Sequence, residues 1–343
     1  MTIPPAARSA MARLILPFVL ICTACTPQRE GGALSRPSPP AAARPWWDHS
    51  GDAALDHLVG DGAAPLACAR AQGNVLRRAV RIIHGARAGR AEAVAQSWER
   101  AGQRLERAQA IALAYARARA WQTRLEQRLA SPAMLKDNAE IAHFRREAGL
   151  VPGLDEDMAG IMLGLNGAAV DAARVELAAA IADLARVTGQ DQAALGQMLE
   201  QTPAMGLAIL PGAAADDLAA RPDLRALAAR RGEGERQAWA IRWAQAQAKA
   251  RAQIDQARAD LASAQDKARQ RADLAERADK ALANARLAYR NGAAGFATLF
   301  AAEAAGLATR EARTEAQRGV TVATIRLWTA QGQGETPQGG ACD

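Results

Sequence analysis

Few residues in this 343-residue chain could do chemistry unaided: four cysteines, four histidines and one acidic triplet. The histidines are His49, His57, His84 and His143, and none forms a pair at the helical spacing that would let two imidazoles share a metal. They read as surface or packing residues. Ser97 and Ser263 lie in no motif that would mark an activated nucleophile, and no glycine-rich stretch matches a phosphate loop. Gly332-Gln333-Gly334 reads only as a C-terminal linker. The triplet Asp155-Glu156-Asp157 opens a helical stretch, where acids complement the positive end of the helix dipole. Neither a cofactor nor a metal is expected, and the chain does not read as an enzyme.

The cysteines speak of location rather than catalysis. Leu14 to Ile21 form a short apolar run behind Arg8 and Arg13, and Cys22-Thr23-Ala24-Cys25 follows. The run is too short to span a bilayer as a helix but has the length of a signal-peptide core, with Met11 as an alternative start. A redox role for Cys22 and Cys25 fits poorly, because the pair lies in a segment expected to be removed or membrane-embedded. Small residues before Cys25 and a polar, Pro-rich stretch after it are similar to a bacterial lipoprotein signal, in which Cys25 becomes the acylated first residue. Cys22 stands where that signal normally has an aliphatic residue, so simple cleavage nearby is the other reading. Cys68 and Cys342 could pair in an oxidising compartment, but the sequence does not place them together.

The elements that must carry these residues are helices. Half of the residues are hydrophobic but only 4% are aromatic, and alanine supplies much of the apolar total. Alanine is the best helix former and adds little buried area, so the chain suits closely spaced helices better than a deep core. No alternating Val/Ile/Thr/Tyr run of strand type occurs. The formal charge of +7 is interspersed along the helices, as in Asp273 with Arg277, which reads as solvated faces rather than a nucleic-acid stripe. A helix is expected over about 236–290, where Ile254, Ala257, Leu261, Ala264 and Ala268 make a coiled-coil seam. Asn291-Gly292 and Gly295 end it, and a return helix follows over about 296–329. An earlier hairpin repeats the plan: helix over about 91–146 with a break at Ser131-Pro132, a turn at Gly149 to Gly153, and a return over about 156–187. The two halves share spacing, with Gly189 and Gly332 each 40 residues after Gly149 and Gly292. The domain reading is signal 1–24, tether 25–45, first hairpin repeat 46–189, connector 190–220, second repeat 221–332 and tail 333–343. Trp46 and Trp47 either pack the tether onto the helices or sit at a membrane interface, and Trp239 with Trp243 reads as a buried contact on one helix face. The fold class is all-α, with long antiparallel coiled-coil hairpins and little or no strand.

Taken together, these pieces resemble the TolC-like outer membrane factors, in particular their lipid-anchored subgroup. The resemblance rests on Cys25, on Trp46-Trp47-Asp48 with Gly51 to Leu58, and on Leu218 to Arg225. It is carried further by Leu184 to Gly189, Leu327 to Gly332 and the two turns. It implies an outer-membrane location on the periplasmic side and a homotrimer whose hairpins build a periplasmic tunnel. It also implies docking to a membrane-fusion adaptor and, beyond it, an inner-membrane pump of an efflux or secretion system. Gly149, Leu150, Val151, Asn291 and Gly292 would be the docking tip, and three copies of Asp155, Glu156 and Asp157 could form an acidic, cation-favouring constriction. The family's β-barrel strands would fall around 87–91 and 231–240, but those intervals are far shorter than the roughly 9 to 11 residues a membrane strand needs. A barrel-less, lipid-anchored periplasmic spacer or binding protein is the alternative. If Cys25 is the anchor, Cys25→Ser is expected to abolish palmitate labelling and move the protein out of the membrane fraction; unchanged labelling would reject the assignment.

Overall fold

The computed structural model describes residues 45–49, 51–63, 74–202, 218–231 and 236–334. The signal segment, Cys25, Cys68, Cys342 and nearly all of the tether lie outside them. A 3-10 turn at Trp46–His49 leads into α1 (Ala53–Ala63), which Asp52 caps by accepting from the backbone N–H groups of Ala54 and Leu55 at 3.0 and 3.2 Å. The long helix α2 (Asn74–Leu129) follows, and its alanine-rich composition carries it through the interval 87–91. Residues 236–240 likewise form the first turns of α7, so there is no strand at the described positions of either interval.

Pro132, which has no N–H to give, ends the continuity of α2 and starts α3 (Pro132–Glu147). Next come α4 (Gly153–Thr188) and α5 (Gln192–Gln201), the latter capped by Asp191. The short α6 (Pro222–Ala229), α7 (Arg236–Arg290) and α8 (Phe296–Ala330) complete the order. The two halves end their return helices alike, with Gly189 and Gly332 at φ 75° and 74°.

Packing follows the seams. Helix α7 pairs with α8, and α4 with α2 and α3; α2 and α8 join the pairs at the centre. Charged and polar ties mark that central contact, with Arg124 on Glu315 at 3.1 Å, Arg128 on Glu311 at 2.6 Å and Gln127 on Thr314 at 3.0 Å. The largest apolar cluster gathers Trp46, Trp47, Leu55, Leu58, Tyr115, Leu184 and Trp328. The rings of Trp46 and Trp328 lie 5.6 Å apart, and the backbone N–H of Trp46 donates to the Gln333 carbonyl at 3.3 Å. Packing onto the helices is therefore what the tryptophan pair does. The Tyr115 hydroxyl donates to Asp52 at 2.7 Å, and burial pushes its pKa far above the usual phenol range.

Where the second half closes, buried Arg221 reaches the Ala330 carbonyl at 2.7 Å, Asp223 at 2.7 Å and Gln253 at 2.9 Å. Backbone passes so close here that a Cβ on Gly332 would stand 2.6 Å from Arg221 Cα. Gly51, at φ 72°, has open space instead. Gly332→Ala is therefore expected to lose clearly more stability in urea unfolding than Gly51→Ala. Gly51→Ala carries only the left-handed strain of about 1 kcal/mol. Equal losses would show that the Arg221 contact yields.

Candidate functional site

The residues singled out by the sequence meet at one end of the bundle, where the α3–α4 and α7–α8 turns lie side by side. Both turns use the same backbone device. Gly149 at φ 67° and Gly292 at φ 74° take the left-handed conformation, and the next residue's N–H reaches back five residues. Leu150 N–H donates to Arg145 and Ala293 N–H to Ala288, each at 2.8 Å. This closes each helix and leaves Leu150 presented to solvent at 70% exposure, with Val151 half-buried and Asn291 and Gly292 exposed.

Arg145 ties the turns together. Its guanidinium donates to the Tyr289 carbonyl at 3.2 Å and lies 4.9 Å from the centre of the Tyr289 ring, while one of its nitrogens lies 3.7 Å from where a Gly292 Cβ would be. Tyr289 meets Phe296 edge-on at 5.7 Å, over a cluster that includes Ala142, Ala159, Leu282 and Leu299. Arg290 pairs with Asp137 at 3.1 Å across the same junction.

The acidic triplet divides its work. Asp155 accepts from the Phe296 N–H at 3.4 Å, holding the start of α8 against the start of α4. Glu156 receives His143 at 2.8 Å and Arg146 at 2.6 Å, and its carboxyl is held below the usual range chiefly by the His143 hydrogen bond. Asp157 is exposed. Within one protomer the triplet is thus two structural ties and one free-facing acid.

Two turns deeper sits a group that sequence reasoning missed. Glu303 is 2% exposed, and its Oε1 accepts from Asn138 at 2.7 Å and lies 3.6 Å from Arg286 Nε, while Oε2 is buried without a partner. It therefore links α3 of the first hairpin to α7 and α8 of the second. A lone acid in the run Ala301-Ala302-Glu303-Ala304-Ala305 was the available signal, since nothing else in that stretch is charged. Among the described residues no group of three or more His, Cys, Asp or Glu is arranged to hold a metal, and no helix is long and apolar enough to cross a membrane.

No protein-family model matches the sequence, and no curated protein matches it. Solved structures do match. The outer-membrane channel OprN aligns with a TM-score of 0.72 at 18% identity, over 84% of this chain and 92% of that one. The outer membrane protein VceC of Vibrio cholerae aligns at 0.68 and 15%, over 85% and 99%, and the CmeC outer membrane channel of Campylobacter jejuni at 0.59 and 11%, over 74% and 68%. At such identities the likeness establishes the fold. The chain has the helical architecture of TolC-like outer-membrane channels, and its described residues contain no strand.

Burial raises the Glu303 pKa, so the folded chain holds this proton more tightly than the unfolded chain. The stability it contributes is full at low pH and is lost as pH rises through the raised folded value. Glu303→Gln should mimic the protonated form, raising the melting temperature at neutral pH by about 2–4 °C and flattening its fall between acid and neutral pH. A lower melting temperature would mean that the Arg286 contact outweighs burial.

Proposed function

We propose that the chain is an outer-membrane-factor-like component of a tripartite efflux or secretion system, forming a closed helical conduit from several copies. The observation that carries this reading is a pair of unmatched flanks. Helix α4 shows solvent Leu154, Ile161, Leu165, Ala168, Ala172 and Val175, which with half-buried Met158 make a seam at alternating spacings of four and three. Leu165 and Val175 are 59% and 69% exposed, which a helix facing only water would not favour. Gly160, Gly164 and Gly167 add to this, because each costs a helix interior about 1 kcal/mol relative to alanine. Apart from the adjacent residues and the helix's own backbone, no atom of the protomer comes within 4 Å of a Cβ at any of them. Close approach of another helix explains both features.

Charge identifies that helix. Helix α4 has six acids against two bases, and α7, on the opposite flank, has twelve bases against six acids. Joining the α4 flank of one copy to the α7 flank of the next makes a head-to-tail contact, which closes into a ring when the rotation allows. Three copies, as the family resemblance implies, would close a tunnel with the paired turns at one mouth. Gly149, Leu150, Val151, Asn291 and Gly292 would face the membrane-fusion adaptor there, and an inner-membrane pump would stand beyond it. Asp157, exposed at the same mouth, would supply the acidic constriction, with Asp155 and Glu156 behind it. Acylated Cys25 would hold the protein to the periplasmic face of the outer membrane.

The helical backbone at 87–91 and 236–240 favours a second reading, a lipid-anchored periplasmic spacer or binding protein without channel activity. Planar-bilayer recordings separate the two: conductance supports the channel, and a silent but trimeric protein supports the spacer. For assembly itself, Leu165→Glu is expected to abolish cross-linked trimers while leaving helical content unchanged, and a wild-type protein that stays monomeric would overturn both the ring and the conduit. Leu150→Glu should weaken cross-linking to the adaptor without affecting trimers.

A further inference from the structure

Charge is interspersed along most of the chain, yet its excess is concentrated in one place. Residues 89–104 of α2, 222–231 of α6 and its following turn, and 236–254 of α7 contain ten arginines and lysines against three acids, and Glu233 and Glu235 in the sequence between them lower the excess to five. The first 19 residues of α7 contain no acid at all. These segments form the end of the bundle opposite the paired turns. Arg221 marks the level at which they begin, since it touches both Ala330 at the end of α8 and Gln253 of α7. Above it α7 continues for 17 residues, roughly 25 Å, packed against α6.

This end also exposes apolar side chains of a particular kind. Trp239 and Trp243 stack on each other, with centroids 5.4 Å apart and planes 13° from parallel, and both remain half-exposed. The Trp239 indole N–H donates to the Leu227 carbonyl at 3.3 Å, which fixes the pair against α6, and the Arg231 guanidinium sits 5.3 Å from the Trp239 ring centre. Ile241, 54% exposed, and Val94, 49% exposed, lie on the same end. Stacked indoles with aliphatic neighbours and a surplus of arginine match what a bilayer interface selects: indoles settle at headgroup depth, and each cation near an anionic surface contributes about 1 kcal/mol.

We infer that this end is a membrane-surface contact for anionic phospholipid headgroups, inserted no deeper than the interface, with Trp239, Ile241 and Trp243 as the apolar part and Arg231, Arg236 and Arg242 as the charged part. The inference rests on the conduit reading in one respect, the choice of lipid over a second copy. Rotation about an axis parallel to the helices keeps every residue at its own height. The α4 flank ends at Thr188, five residues past its Asp183 tie to Arg117, whereas Leu105 of α2, nearer this end, packs beside Gly334. A neighbour's α4 therefore does not reach the tryptophan pair.

The test is co-flotation of the full chain bearing Cys25→Ser, so that no acyl chain contributes, with phosphatidylcholine vesicles containing or lacking phosphatidylglycerol. Binding is expected to require phosphatidylglycerol, to weaken as salt is raised, and to fall about tenfold or more in Ile241→Glu, a change at an exposed site that does not threaten folding. Trp243→Ala should behave likewise and Trp243→Phe should retain most of the binding, while Arg271→Ala, mid-way along α7, should leave it unchanged. No flotation, or flotation that Ile241→Glu and Trp243→Ala leave intact, overturns the inference. The second result, with equal retention on heparin, would identify a general polyanion surface instead. Trimer cross-linking in the absence of vesicles reads the conduit separately, so either conclusion can fail while the other stands.

Discussion

Everything in this molecule depends on how closely two helices can approach. The helices α2 and α7, 56 and 55 residues long, are too long and too polar to be held by a core of large side chains, and alanine along their seams lets neighbouring backbones come near. Such seams are long and shallow, so they fix direction better than they fix register. Register comes from polar ties placed at intervals along the same contacts: Arg124 with Glu315, Asn138 with Glu303, Arg145 with the Tyr289 carbonyl, Arg221 with Ala330. Each demands a particular partner at a particular height, and each would leave a polar group stranded if its helix slid by one turn.

That division explains what could be read from the sequence. The bounds of α7, the break at Pro132 and the left-handed turns at Gly149 and Gly292 were all legible, because local residue chemistry governs them. The seam of Ile254, Ala257 and Leu261 was legible too, and it faces inward as expected. The seam on α4 has the same period and faces outward, so period alone does not reveal whether a partner lies in the same chain. The ties were not legible. Arg145 and Tyr289 are 144 residues apart, and no feature of either residue announces the other.

The two ends of the bundle are built on opposite principles. At the paired turns acids and bases are matched, as in Arg146 with Glu156 and Arg290 with Asp137, and the large exposed groups are apolar: Phe144, Leu150 and Leu154. At the other end the cations outnumber the acids, and Arg230 is held between Glu92 at 2.9 Å and Glu99 at 2.6 Å. Its guanidinium is correspondingly held well above its ordinary pKa, first by the Glu92 hydrogen bond. A protein with balanced turns and a charged crown has a direction built into it, apart from any question of what it conducts.

The contact between Trp46 and Trp328 also fixes an order of events. Its partners are separated by 282 positions, and the Gln333 carbonyl that receives the backbone N–H of Trp46 is later still. The seat for Trp46 is thus made in part from the last helix. Local hairpins can form as soon as their own residues are available, but the segment around Trp46 must wait for the rest of the polypeptide. Until α8 arrives, the side of Trp46 that meets Trp328 is uncovered, and a chain cut short before Trp328 would never cover it. Completion of the polypeptide, rather than any single helix, is what closes this fold.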